Sequence, residues 1–245
     1  MRKCGSAIHG QLCVTFGRGL SAVRERFLSS TQAERFYDML GGKLDSQAFY
    51  EAPALSELAA RLQLETCRAV VEFGCGTGRF AEELFETYLP SQATYVGCDV
   101  SQEMVRLARE RLARFGSRVA VKKSDGGARM DSADGAFDRF LCTFVLDLLP
   151  DAEAQAVMQE ARRALIPGGL AGIVSLTNGR TPIAWVISTI WNGLGAASPW
   201  LVGGCRPIEI LDLVAGADWR IEYQNVDTPF GVPCEIVVAK KARVA

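Results

Sequence analysis

The segment Glu72-Phe73-Gly74-Cys75-Gly76-Thr77-Gly78 places a carboxylate at the end of an apolar run, with three glycines at every second position behind it. Glycine has no Cβ and takes positive φ, so a ligand can approach bare backbone there. The helix-like stretch that follows, Phe80 to Tyr88, would add the free N–H groups of a helix start. Two more acids close later apolar runs. Asp99 stands 25 residues beyond Gly74, where a carboxylate can accept hydrogen bonds from both hydroxyls of a ribose. Asp125, followed by Gly126-Gly127, stands one strand further on, where the amino group of an adenine would fall. The glycine spacing separates ligands. A dinucleotide fingerprint needs glycine at 74, 76 and 79, and residue 79 is Arg. No Gly-Lys-Ser/Thr phosphate loop is present. A pyrophosphate needs helix-end amides, whereas a nucleoside with an amino-acid tail needs backbone contacts and an acid for its ammonium.

These positions need strands to end together. The pattern predicts a β/α alternation, with strand one at about 69–73 and its helix at about 79–88. Strand two is Ala93 to Cys98. Its helix is capped by Ser101, with Met104, Ala108 and Leu112 on one face. Strand three is Arg118 to Lys122 and strand four Phe137 to Phe144. A helix follows from Asp151 to Leu165, stopped by Pro167-Gly168-Gly169, and strand five is Leu170 to Leu176. A helix (about Ile208 to Ala215), strand six (Trp219 to Val226) and strand seven (Cys234 to Lys240) close the chain. The short turn between the last two makes them antiparallel neighbours. The expected fold is α/β: a doubly wound, seven-stranded, mostly parallel sheet with an antiparallel last strand. Two earlier helices, Gln32 to Leu40 and Phe49 to Leu64, should pack across the sheet's open end.

Composition limits the function classes. The 245 residues carry a net charge of −1 and no basic block, which speaks against nucleic acid as a partner. Eight cysteines without a CxxC pair, and a single His, speak against a metal site. Residues 1–24 hold Arg2, Lys3, Arg18 and Arg24 and no acid. This composition fits a transit-type presequence or a loose extension. The division taken is an extension over 1–30 and a single domain over 31–245, in the cytoplasm, or in an organelle if the start is a presequence. Residues 181–205 carry no charged residue and three of the four Trp. Pro182, Gly193, Gly195 and Pro199 interrupt the run well short of the roughly 20 residues of a membrane span. A lid-like insert over 179–206 is expected, able to touch a membrane transiently.

Taken in order, Glu72 to Gly78, Gly97-Cys98-Asp99-Val100-Ser101 with Met104, Ser124-Asp125-Gly126, Phe137-Asp138-Arg139 and Leu165-Ile166-Pro167-Gly168-Gly169 resemble the class I S-adenosylmethionine-dependent methyltransferases, in the small-molecule, quinone-methyltransferase-like group. The resemblance covers about 65–178 by motif and extends loosely over 33–240. It implies S-adenosylmethionine as cofactor and S-adenosylhomocysteine as product. It places the methionine part on Gly74, Cys75, Gly76, Thr77 and Gly78, with Glu72 anchoring the amino group. It places the ribose on Asp99, with Val100 and Met104 flanking the adenine and Ser124, Asp125 and Gly126 at its edge. Cys142 and Thr143 would face the methionine tail. An N-terminal aromatic often closes such sites; Tyr37 is preferred over Tyr50, because Phe36-Tyr37-Asp38 resembles a segment common there.

Some relatives carry His after strand four. Here the stretch Phe144 to Leu149 offers only Asp147 as an ionisable group. Asp147 and Tyr37 are therefore the catalytic candidates. Each residue also has a plainer reading: turn glycines, a helix-capping acid at 99 or 147, a turn acid at 125, packing cysteines at 75, 98 and 142, and core tyrosines. The expected function is methyl transfer to a small apolar or aromatic acceptor under the insert. The alternatives are a quinone- or lipid-type C-methyltransferase, a cofactor-binding partner without catalysis, and a nucleotide-dependent oxidoreductase, which Arg79 argues against.

Overall fold

The computed structural model describes residues 27–179, 189–190, 193, 197–198, 200, 203–215 and 218–242. Residues 1–26 of the expected extension over 1–30, Trp185 and Trp191 lie outside these residues, as does most of the expected insert.

Seven strands form one sheet in the order β3-β2-β1-β4-β5-β7-β6. They are β1 (Ala69–Phe73), β2 (Thr94–Asp99), β3 (Val119–Lys123), β4 (Phe137–Thr143), β5 (Leu165–Leu176), β6 (Trp219–Asp227) and β7 (Cys234–Lys241). The first five are parallel, and β7 runs antiparallel between β5 and β6. The chain walks outward from β1 to β3 and then returns to the other side of β1 for β4. Strand order therefore reverses between β1 and β4, and a crevice opens beyond their carboxyl ends.

A parallel sheet needs both faces covered, and alternate residues of a strand supply the two faces. Val70, Leu141 and Ile236 pack with α2 (Ala48–Arg61), α3 (Arg79–Thr87) and α4 (Gln102–Leu112). Their neighbours Val71, Phe140 and Val237 pack with α5 (Asp151–Ala164) and the short α6 (Ile210–Val214). The Asp138-Arg139 pair ties the start of this frame together. The Asp138 carboxylate accepts from the Arg68 and Ala69 amides at 2.7 and 3.4 Å. Buried Arg139 donates to the Leu62 and Gln63 carbonyls at 2.6 and 2.7 Å, satisfying the orphan acceptors at the end of α2.

Two expectations are corrected. First, α5 stops at Ala164, because Leu165 is already extended (φ −79°, ψ 143°), and Pro167-Gly168-Gly169 is the opening of β5. Leu165 pairs with Phe137 before the register shifts, so those residues form an irregular strand start instead of a helix stop. Second, the N-terminal helices do not both cross the open end. Helix α2 lies on a sheet face, with Leu58 and Leu62 against Gly172, where an added Cβ would stand 2.8 Å from Leu62 Cδ1. Helix α1 (Ser30–Leu40) and the 3-10 segment Gly41–Gln47 pack beside α4. Helix α1 begins earlier than the apolar spacing suggests. Ser29 and Gln32 form a capping box, each side chain bonding the other's backbone N–H. Among the described residues no helix is long and apolar enough to cross a membrane.

Candidate active site

The crevice at the strand reversal holds a cavity whose walls come from every carboxyl end expected to carry chemistry. After β1, Gly74, Gly76 and Gly78 all take positive φ, at 76°, 51° and 76°. The turn is held from below, where the Gly74 and Cys75 amides both donate to the Cys98 carbonyl, at 2.8 and 2.9 Å. Gly74 also allows a close approach: a Cβ there would lie 2.3 Å from Val145 Cγ2. Gly74, Cys75, Gly76 and Thr77 line the cavity. Gly78 does not. It starts α3 and lies against Ala108 of α4, 3.1 Å from where its Cβ would be.

Two carboxylates face the turn. Glu72 is 2 % exposed and accepts from the Tyr95 hydroxyl at 2.5 Å and from Thr143 Oγ1 at 3.5 Å. Burial lifts its pKa to about 7, in spite of these two donors. Asp99 accepts from the Gly76 amide at 3.0 Å and the Ser101 amide at 2.8 Å. Its pKa rises to about 6, because burial outweighs those backbone bonds. Beyond β2, Val100 and Met104 line the cavity, and Ser101 caps α4 by accepting from the Met104 amide. The Ser101 hydroxyl in turn donates to Asp38 at 2.5 Å, which fixes α1 over this end of the site.

After β3, Ser124 and Gly126 line the cavity and Asp125 does not. Asp125 is exposed and folds back on the Gly127 amide at 2.9 Å, an Asx turn that points its carboxylate along the loop. After β4, Thr143 lines the cavity, while fully buried Cys142 faces the α5 side of the sheet. Strand alternation allows only one of two successive residues on each face. Tyr37 and Tyr50 both line the cavity, reaching it from different helices.

Several lining residues carried no sequence signal. Phe144 adopts φ 56° to turn off β4, and its ring meets Tyr50 edge-on at 6.0 Å. Gly203, Gly204 and Cys205, from the described part of the expected insert, also line the cavity. Gly203 lies against Phe36 and Gly204 against Leu28. Asp45 binds Thr77 Oγ1 at 2.6 Å and Arg111 at 2.5 Å, pinning the 3-10 segment to the glycine turn.

Burial holds the thiols around the cavity in their neutral form. Burial pushes Cys75, Cys142 and Cys205 well up and Cys98 up to about 12. Burial likewise pushes the Tyr37 and Tyr50 phenols up. Asp147 differs from the other acids. It sits in the 3-10 turn Leu146–Leu148 and is fully buried, with the Ser175 hydroxyl and the Leu176 amide beside its carboxylate. Burial raises its pKa to about 7.

Residues 70–169 match the family model of a methyltransferase domain. The chain is 28% identical over 157 residues to the tRNA N(3)-methylcytidine methyltransferase Mettl2 of Drosophila melanogaster, covering 60% of this chain and 48% of that protein. It is 32% identical over 120 residues to the trans-aconitate 2-methyltransferase of Azoarcus sp., covering 49% and 44%. The chain therefore spans about half the length of the curated relatives it matches. In fold it is similar to the cyclase SpnF, with a TM-score of 0.70 and 17% identity, over 89% of this chain and 98% of that one.

Proposed function

Since the chain belongs to the class I S-adenosylmethionine-dependent methyltransferases, we propose that it transfers the cofactor's methyl group to a small apolar or aromatic acceptor. The residues fit such a cofactor. A cation-bearing nucleoside suits a cavity with buried acids at Glu72 and Asp99, whose charged forms it would favour, beside a glycine turn with exposed backbone. Asp99 would take the ribose hydroxyls and Glu72 the ammonium. Val100 and Met104 would hold the adenine between them, with Ser124 and Gly126 at its edge. Gly74, Cys75, Gly76 and Thr77 would hold the methionine part, beside Thr143. Tyr37, tied over the site through α1, would close it.

Bound S-adenosylmethionine supplies an electrophilic methyl carbon on a sulfonium that leaves as a neutral thioether. What this chain contributes is placement and exclusion of water. Residues of helix α1, the 3-10 segment and Gly203–Cys205 line the crevice, where they would hold a small acceptor against the methyl and limit water.

The observation that carries the small-molecule reading is the lining itself. Asp45, Glu51, Glu72, Asp99, Asp147 and Glu153 line the cavity, and among its described lining residues Arg79 is the only base. Arg79 is already paired with Glu51 at 2.7 Å. A polyanion such as RNA needs basic contacts to its phosphates, which these walls do not offer. The test is S-adenosylhomocysteine formation across a panel of phenol, thiol, amine and quinol acceptors, beside an unmodified tRNA pool. Turnover with tRNA alone would overturn the acceptor class. Cofactor binding without turnover on any acceptor would favour the non-catalytic reading.

A further inference from the structure

Four aromatic rings stand in file from the wall of the cavity to the outer surface. Phe144 and Tyr50 line the cavity and meet edge-on at 6.0 Å. Tyr50 meets Phe49 at 5.2 Å, and Phe49 meets Phe230 at 5.4 Å, again edge-on. The file joins the turn after β4, the first turn of α2, and the 3-10 turn Pro229–Gly231 between β6 and β7, against which α2 packs. Its two inner rings are partly buried against the core. Its two outer rings face water: Phe49 is 56 % exposed and Phe230 76 %. A single exposed apolar residue needs no explanation, but a pair in ring contact and continuous with a cavity does. The backbone adds a second observation. Among the described residues, the non-glycine positions with positive φ are Gln63, Phe144 and Phe230. The two ends of the file thus take φ 56° and 52°, which bulky side chains rarely adopt and which gathers at ligand-contacting segments. Phe230 gains no burial in return.

We propose that Phe49 and Phe230 select the acceptor by length: it is an elongated apolar molecule whose reacting end enters the cavity and whose tail lies across these two rings. The area fits a chain and not a protein. A whole Phe offers roughly 200 Å², so at these exposures the outer pair presents roughly 250 Å². A stable subunit interface buries about 800 Å² on each partner. Rings already braced against one another also lose little freedom when a chain covers them. The inference rests on the cavity being the acceptor pocket of a methyltransferase.

Calorimetry on the full chain saturated with S-adenosylhomocysteine tests it, with para-ethyl-, para-butyl-, para-hexyl- and para-octylphenol as probes. In the parent, Kd should fall about twofold or more per added methylene through to the octyl chain, as burial of apolar surface requires. The double variant Phe49→Ala, Phe230→Asn removes both outer rings. Ala suits a helix and Asn tolerates the left-handed φ of residue 230, so Tm should stay within about two degrees of the parent. In this variant the Kd of ethylphenol should stay within about twofold, while that of octylphenol rises at least tenfold. Phe230→Asn alone should weaken octylphenol at least threefold and leave ethylphenol alone. A flat series in the parent, no binding of any probe, a series unchanged in the variants, or equal losses for short and long probes would each overturn the proposal. So would co-sedimentation with phosphatidylcholine vesicles that the double variant loses while keeping the parent's phenol series, since the rings would then serve a membrane. Loss of S-adenosylhomocysteine binding by the parent chain would instead overturn the methyltransferase reading.

Discussion

Replacing Asp147 with Asn should flatten part of the pH dependence of folding stability. The carboxyl has an ordinary pKa of 3.8 and is lifted to about 7 by burial. The unfolded chain gives up this proton as pH passes 3.8, whereas the folded chain keeps it until about 7. The folded state is therefore unpenalised well below 3.8, loses stability as pH rises between the two values, and reaches its full penalty above 7. At about 1.4 kcal/mol per pH unit the full penalty is roughly 4 kcal/mol. Between pH 5 and pH 8 it grows by about 2.5 kcal/mol. Asn carries no titrating proton, so the variant escapes this slope whatever its absolute stability. Glu72 and Asp99 titrate in both proteins and cancel in the difference. Urea unfolding followed by circular dichroism at pH 5, 6.5 and 8 reads the effect. The parent should lose about 2.5 kcal/mol relative to Asp147→Asn from the first pH to the last. Curves that stay parallel within roughly 0.5 kcal/mol would refute the claim that burial outweighs the donors around Asp147.

Three other outcomes follow from the same geometry. Asp99→Ala should weaken S-adenosylmethionine by roughly ten- to a hundredfold in calorimetry, since a charge-assisted bond is lost; an unchanged Kd would remove Asp99 from the site. Gly74→Ala forces φ 76° on an alanine and drives its Cβ to 2.3 Å from Val145 Cγ2, so it should lower Tm by several degrees and abolish cofactor binding. A Tm within a degree of the parent would show that the turn yields freely. Cofactor affinity should rise with pH up to about 7 as Glu72 ionises, then level off. In Tyr95→Phe, which removes a donor to that carboxylate, the rise should move to higher pH; an unmoved midpoint would count against Glu72 holding the cofactor's ammonium.

The amino-acid order by itself determined the α/β class, the parallel run of strands and the antiparallel close. Hydrophobic period and turn residues are local signals, and the apolar runs that become β1, β2 and β4 are unambiguous. It also determined where chemistry would gather. Glycines at alternate positions after β1 and the acid at the end of the adjacent β2 must meet once the two strands are parallel and in register.

Only the tertiary structure decided which neighbour in each pair faces the cavity. Thr143 lines it instead of Cys142, and Ser124 and Gly126 instead of Asp125, because strand phase and a side chain's choice of local bond are settled by what packs against them. The same holds for the start of β5, where pairing with Phe137 overrode a Pro-Gly-Gly stop signal. It holds most of all for Asp147. Its position after β4 was legible, but its complete burial was not, since that depends on Ser175, Leu176 and Arg206 arriving around it from distant segments. Local spacing records what a residue is and which element carries it. Whether a buried charge finds a partner is decided by residues far along the chain, and so appears only when they are folded together.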